Sequence, residues 1–249
     1  MSARLLALAG FAVLLAVALT ACQSTQDRSA QLEEEGGTKL LAAEGVTIEK
    51  ESADVKVTST ALLTDRYGSA VVVGLHNSSG KNLVNVPILI EVLDAKGKSV
   101  YKNDIPGIEP ALAAIPYIAA GGDAEWVNDQ VQASGKPRSV KVKVGASGES
   151  YSGEMPEIEV SEPQIEGDPV SGLEATGTVV NRTGGEQERL LLYAIGRRGG
   201  KVVAAGRGAI EHMKATTKEL HYDIFFIGNP TGTDLEVIQF PTLPGHEPE

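Results

Sequence analysis

The chain has 249 residues, a formal net charge of −11, 28 glycines and 4% aromatic residues. That acidity argues against nucleic-acid binding, which wants a basic face, and against a general electrostatic hold on anionic lipid. Its single cysteine, Cys22, rules out an intrachain disulfide, and once modified it leaves neither a thiolate nucleophile nor a cysteine metal site.

Arg4 precedes an apolar stretch, residues 5–19, which ends in Leu19-Thr20-Ala21-Cys22. A positive start, a short apolar run and a small-residue exit predict a secretory signal peptide over residues 1–21. A run of about 15 residues falls short of the roughly 20 that a membrane-spanning helix needs. Leu19-Thr20-Ala21-Cys22 resembles the bacterial lipobox. The resemblance implies cleavage before Cys22 and a diacylglyceryl group on its thiol, with no other cofactor expected. One acyl chain binds a bilayer marginally, whereas two or more anchor it stably. Residues 22–44 follow as a polar stretch, with Glu33-Glu34-Glu35 before Gly36-Gly37. They are expected to form a disordered tether, because they cannot bury enough apolar surface to offset ordering.

Beyond residue 44 the chain repeats itself. Asn77-x-Ser-Gly recurs as Asn181-x-Thr-Gly, Gly97-Lys98 as Gly200-Lys201, and the alternating segment 55–60 as 158–163. The offsets agree to within one residue, so two tandem modules are expected, over residues 45–145 and 157–244. A polar linker, 146–156, joins them, and residues 245–249 form a tail. Strands are predicted in the first module near 55–60, 69–75, 84–93, 98–101, 125–128 and 139–144. In the second they are predicted near 157–160, 173–180, 189–195, 201–205, 219–226 and 234–240. Pro87 suggests an edge strand or a bulge, and Gly97 a turn with positive φ. Short strands at turn-punctuated spacing predict an all-β fold of two antiparallel sandwiches.

The order Gly177-Thr178-Val179-Val180-Asn181-Arg182-Thr183-Gly184, then Leu191-Leu192-Tyr193, then Gly200-Lys201-Val202-Val203 resembles the FxLYD-type β-sandwich module of bacterial envelope proteins. The first copy matches at residues 74–80 and at Leu93-Asp94 and Gly97-Lys98, but lacks the aromatic residue before its turn. The second copy lacks the aspartate. The resemblance implies two immunoglobulin-like modules and carries over no catalytic residue.

Catalytic signatures fail on context. Gly97-Lys98-Ser99 ends like a phosphate loop, but Val92 stands where its first glycine belongs. Ser78-x-x-Lys81 falls in a predicted loop and lacks a Lys-Thr-Gly companion. His76, His212, His221 and His246 have no zinc-like spacing. Asn77 and Asn181 fit a glycosylation pattern, but local turn bonding by the asparagine side chain is the preferred reading.

Two features remain. Ile105, Ile108, Leu112, Ile115, Tyr117 and Ile118 form either an exposed apolar patch for a partner or a loop that caps the sandwich core. Arg197, Arg198, Lys201 and Arg207 form either a site for an anionic envelope polymer or headgroup, or a solvated hairpin tip. The expected function is therefore non-catalytic. It is that of an extracytoplasmic lipoprotein, held to a bacterial membrane by its lipid, that binds or scaffolds an envelope protein or a cell-wall polymer. The alternative is an accessory solute- or substrate-binding lipoprotein of a transport system.

Overall fold

The computed structural model describes residues 45–146, 149–215 and 219–246. The expected signal peptide, with Leu19, Thr20, Ala21 and Cys22, and the expected tether lie outside the described residues. The described chain is all-β and contains no α-helix. The first repeat holds β1 (Val55–Thr64), β2 (Ser69–Asn77), β3 (Asn82–Leu93), β4 (Ser99–Lys102), β5 (Ala114–Ile118), β6 (Asp123–Asn128) and β7 (Ser139–Val144). Next come β8 (Glu149–Tyr151), β9 (Ile158–Val160), β10 (Gln164–Asp168), β11 (Gly172–Asn181) and β12 (Gln187–Arg198). The chain closes with β13 (Lys201–Met213), β14 (Leu220–Phe225), β15 (Ile227–Gly228) and β16 (Asp234–Pro241).

These strands build four antiparallel sheets, two per repeat. In the first repeat β1-β2-β6 faces a sheet centred on β3, which pairs β4, β5, β7 and β8. In the second, β10-β11-β14, with β9, faces β15-β13-β12-β16. Both repeats are therefore β-sandwiches, and the repeat seen in the sequence is a repeat of topology. Asn77 and Asn181 show it at atomic scale. Asn77 Nδ2 donates to the Lys81 carbonyl at 2.8 Å, and its Oδ1 accepts from the Ser79 amide at 3.0 Å. Asn181 repeats both bonds, with the Gly185 carbonyl at 2.8 Å and the Thr183 amide at 2.9 Å. Each asparagine is buried and closes the turn after its strand.

The apolar core of the first repeat extends across the joint into the second. Leu191, Tyr193, Ile195 and Phe240 of the second repeat cluster with Val72, Val73 and Val127 of the first. The alternate residues of β12, Leu190, Leu192 and Ala194, fill the second repeat's own core instead. β12 is thus buried on both faces, and its run Leu190-Leu191-Leu192-Tyr193-Ala194-Ile195 is continuously apolar for that reason. β2 is buried along nearly its whole length in the same way.

Three local features depart from the sequence reading. β3 is central, paired on both edges, so Pro87 is not on an edge strand. One edge of β3 pairs β8 over residues 82–84 and β7 over 88–93, leaving Pro87 in the gap, where its missing N–H costs no bond on that side. Asn85, in the same gap, has φ +49°, a kink that lets β3 change partners. Within the expected linker, Glu149–Tyr151 is a strand on β3, because Tyr151 packs with Val84 and Leu243.

Candidate functional site

The third departure shapes the joint between the repeats. In the second repeat β13 runs unbroken through 13 residues beside β12. The corresponding strand of the first repeat is cut into β4 and β5, with residues 103–113 looping out between them. Asn103 fills the cut. It is fully buried, and its Oδ1 accepts from the Ile90 amide at 2.7 Å. Its Nδ2 donates to the carbonyls of Ile88 (2.9 Å) and Leu112 (2.7 Å). One side chain thereby replaces the ladder bonds the strand no longer makes.

The loop carries Glu109 to the second repeat. Arg207 donates both terminal guanidinium nitrogens to Glu109, Nη1 at 2.7 Å, and Arg189 donates Nη2 to the same carboxylate. Asp129, just beyond β6, accepts from the Arg207 amide at 2.9 Å, with its other oxygen 3.7 Å from Arg207 Nε. Burial works against the Glu109 carboxylate, but the hydrogen bonds and charges of Arg207 and Arg189 outweigh it and hold its pKa below the usual range. Asp129 goes the other way. Its burial outweighs Arg207, and its pKa is raised. Beneath them the Tyr193 hydroxyl is fully buried, which raises its pKa.

This arrangement revises both candidate patches. Arg207 is committed to Glu109 and Asp129, and Arg197 pairs with Glu125 of the first repeat and with Glu236, at 3.0 Å. These arginines neutralise carboxylates of the neighbouring repeat. Only Lys201 and Arg198 are exposed, and Arg198 donates to the Thr231 carbonyl at 2.5 Å. The six apolar residues are not one exposed patch either. Leu112, Ile115 and Ile118 are buried, Ile108 and Tyr117 are half-buried, and only Ile105 stands out, 50% exposed. The segment caps the core, as one of the two readings held, because its loop must leave the sheet and return to it.

Where the two sandwiches meet, a half-open cleft of about 730 Å³ remains. Pro110, Ala114 and Pro116 line it from the first repeat, and Leu191, Phe240 and Leu243 from the second. Its polar rim is Asn85, Glu149, Arg189, Thr242 and His246. Glu149 accepts from Asn85 Nδ2 at 3.3 Å and lies 2.9 Å from His246 Nδ1. Thr242 Oγ1 is fully engaged, accepting from the Arg189 amide at 2.9 Å and donating to the Arg189 carbonyl at 2.7 Å. Among the described residues no group of three or more His, Cys, Asp and Glu is placed to hold a metal ion.

Sequence reasoning missed Glu109, Asn103, Asp129 and Arg189, which no motif marks. The unbroken apolar run 190–195 was the one signal that β12 has a second buried face. No protein-family model matches the chain, and no curated protein matches it.

Proposed function

We propose that this protein is an extracytoplasmic lipoprotein, anchored through Cys22, that binds an envelope component in the cleft between its repeats and does no chemistry on it. The anchor rests on the lipobox resemblance at residues 19–22. The binding role rests on one observation: a cleft lined by both repeats, with proline walls and a hydrogen-bonded rim. Its volume falls within the roughly 300–1,000 Å³ of small-molecule sites. Pro110, Pro116 and Pro241 in its walls and the core that crosses the joint make it preformed, which lowers the ordering cost of binding. Among the described residues, the one hydroxyl on its rim, Thr242, is tied to main chain on both sides and is not poised to attack.

The same volume supports the second reading, an accessory solute-binding lipoprotein. A Pro116→p-benzoylphenylalanine variant, irradiated in living cells, separates the two. A discrete protein or wall-polymer adduct, missing when the probe replaces exposed Glu166 instead, supports scaffolding. A small molecule retained in native mass spectrometry and lost on Ala114→Arg supports the solute reading. Identical random adducts at both positions, with no retained molecule, would sink the cleft as a site.

A further inference from the structure

The chain is acidic overall, yet one face of it is not. On the outer surface of the β3 sheet, Lys102 of β4 and Lys141 of β7 are both in register with Glu91 of β3. Lys143 lies next along, opposite Leu89. All three lysines are exposed, and Glu91, between Lys102 and Lys141, has Lys102 as its partner at 3.8 Å. The alternation Val140-Lys141-Val142-Lys143-Val144 explains the face: the valines turn to the core and the lysines outward.

The end of this sheet adds more positive charge. Lys96 and Lys98 sit on the exposed β3–β4 turn, which Asp94 Oδ1 closes by accepting from their amides at 2.8 and 2.9 Å. Residues 134–138 are bonded to the same end, through the Ser134 amide to the Val100 carbonyl and the Arg138 amide to the Leu93 carbonyl. They bring Lys136 and Arg138 there, both exposed. Seven basic side chains therefore share the region with Glu91, Asp94, Asp104 and Glu51, which is bridged to Gly145 at the end of β7, a local surplus of three positive charges in a chain whose net charge is −11. Unlike Arg197 and Arg207, the lysines and arginine other than Lys102 make no ion pair among the described residues.

The chain also enters the described body beside this face. Gly45 packs on the main chain of Asp104, so closely that an added Cβ would fall 1.9 Å from its carbonyl oxygen, and Asp104 is two residues from Lys102. Residues 22–44, fully extended, span at most about 80 Å. A lipid on Cys22 would thus keep this positive surface within about 80 Å of a bilayer.

We propose that this face, carried by β4, β7 and the β3–β4 turn, docks on anionic lipid headgroups of the membrane that holds the anchor. It rests on the anchored reading above for its effective concentration, and on charge complementarity for its partner. Basic side chains near an anionic leaflet are drawn to it, while the acidic remainder of the body is repelled, so the charge segregation sets an orientation as well as an affinity. The cleft then faces a fixed direction relative to the membrane.

The test uses the full, processed chain with vesicles of phosphatidylcholine alone or of equal parts phosphatidylcholine and phosphatidylglycerol, read by flotation and amide hydrogen exchange. The expected result is flotation with both compositions, and slowed exchange at the backbone of β4 and β7 only on the anionic vesicles. That protection disappears at high salt. In Arg138→Gln/Lys141→Gln/Lys143→Gln it weakens by about a hundredfold in apparent affinity, with an unchanged circular dichroism melt as the folding control. Flotation with both compositions and identical exchange would overturn the docking face and leave the anchor standing. Salt-sensitive flotation with the anionic vesicles alone, lost in the triple variant, would support the face and remove the anchor. Flotation with neither overturns both. Protection by soluble polyphosphate but not by anionic vesicles would assign the face to a polymer and overturn the lipid.

Discussion

Glu109 and Arg207, 98 residues apart, form a two-pronged carboxylate–guanidinium pair across the joint between the repeats. Arg207 is the most buried cation of the joint, its side chain 5% exposed, and Glu109 reaches it only because the first repeat interrupts a strand that the second keeps whole. A topological irregularity in one copy is thus the docking element for the other. Removing one partner of a buried ion pair leaves the remaining charge uncompensated, which costs about 3–5 kcal/mol. Arg207→Met should therefore lower the melting temperature by about 10 °C for a body of this size. The triple variant Glu109→Leu/Asp129→Leu/Arg207→Met should recover most of the loss, since it removes these buried charges together and leaves Arg189 its pair with Glu211 at 3.1 Å. A scanning calorimetry series on the two variants decides it.

Acid should weaken the joint, and the two carboxylates should contribute with opposite sign. Glu109 has a lowered pKa in the folded state, so its stabilisation is present above its unfolded pKa and is lost as pH falls through the folded one. Asp129 has a raised folded pKa, so its stabilisation is greatest at low pH and is lost as pH rises through that value. Glu109→Gln should flatten the fall in urea midpoint on acidification from about pH 5. Asp129→Asn should steepen it. Parallel curves for wild type and both variants would show that neither group is linked to folding.

Asn103 makes three buried hydrogen bonds that stand in for a strand. Asn103→Leu keeps the volume but orphans the Ile90 amide and two carbonyls. At about 1–3 kcal/mol for each stranded group, a loss of at least 3 kcal/mol is expected. Faster exchange should be concentrated at the Ile90 amide in β3. Equilibrium denaturation gives the magnitude and exchange gives the place.

Tyr193 presents the reverse case. Its ring is fully buried and lies against Phe240, ring centres 5.0 Å apart, while its hydroxyl makes no hydrogen bond among the described residues. Tyr193→Phe keeps the ring contact and removes a buried polar atom. It should leave stability unchanged or raise it by about 1 kcal/mol. A clear fall in the urea midpoint would mean that the hydroxyl is bonded in solution.

Most strands were readable in the sequence because alternation and turn residues are local, whereas β5, β8 and β10 fall where no strand is predicted. The Lys141 and Lys143 alternation, the Gly97 turn with φ +77° and the twin asparagine turns all follow from near neighbours. The joint was not readable, because its ion pairs link residues roughly 70–100 positions apart with no spacing rule between them. Arg197 and Arg207 stand out as cations, and both readings of them, an anion site and a solvated hairpin tip, put them in solvent. What distinguishes them is the carboxylate opposite, which only the packing supplies. Likewise Leu112, Ile115 and Ile118 were correctly apolar, but an apolar run does not say whether it is capped. The run of residues 190–195 did hold the missing fact, since a strand with no polar face has two faces to bury.

The central claim is that the two repeats are one body, and native-state hydrogen exchange tests it most directly. Val73 in β2 and Leu192 in β12 lie in the cores of different repeats. The shared interface requires that their amides exchange through the same global opening, with equal free energies and equal sensitivity to denaturant. A Leu192 amide that opens at lower free energy while Val73 stays protected would contradict the account. The repeats would then be separate domains, and the cleft between them would not be a preformed site.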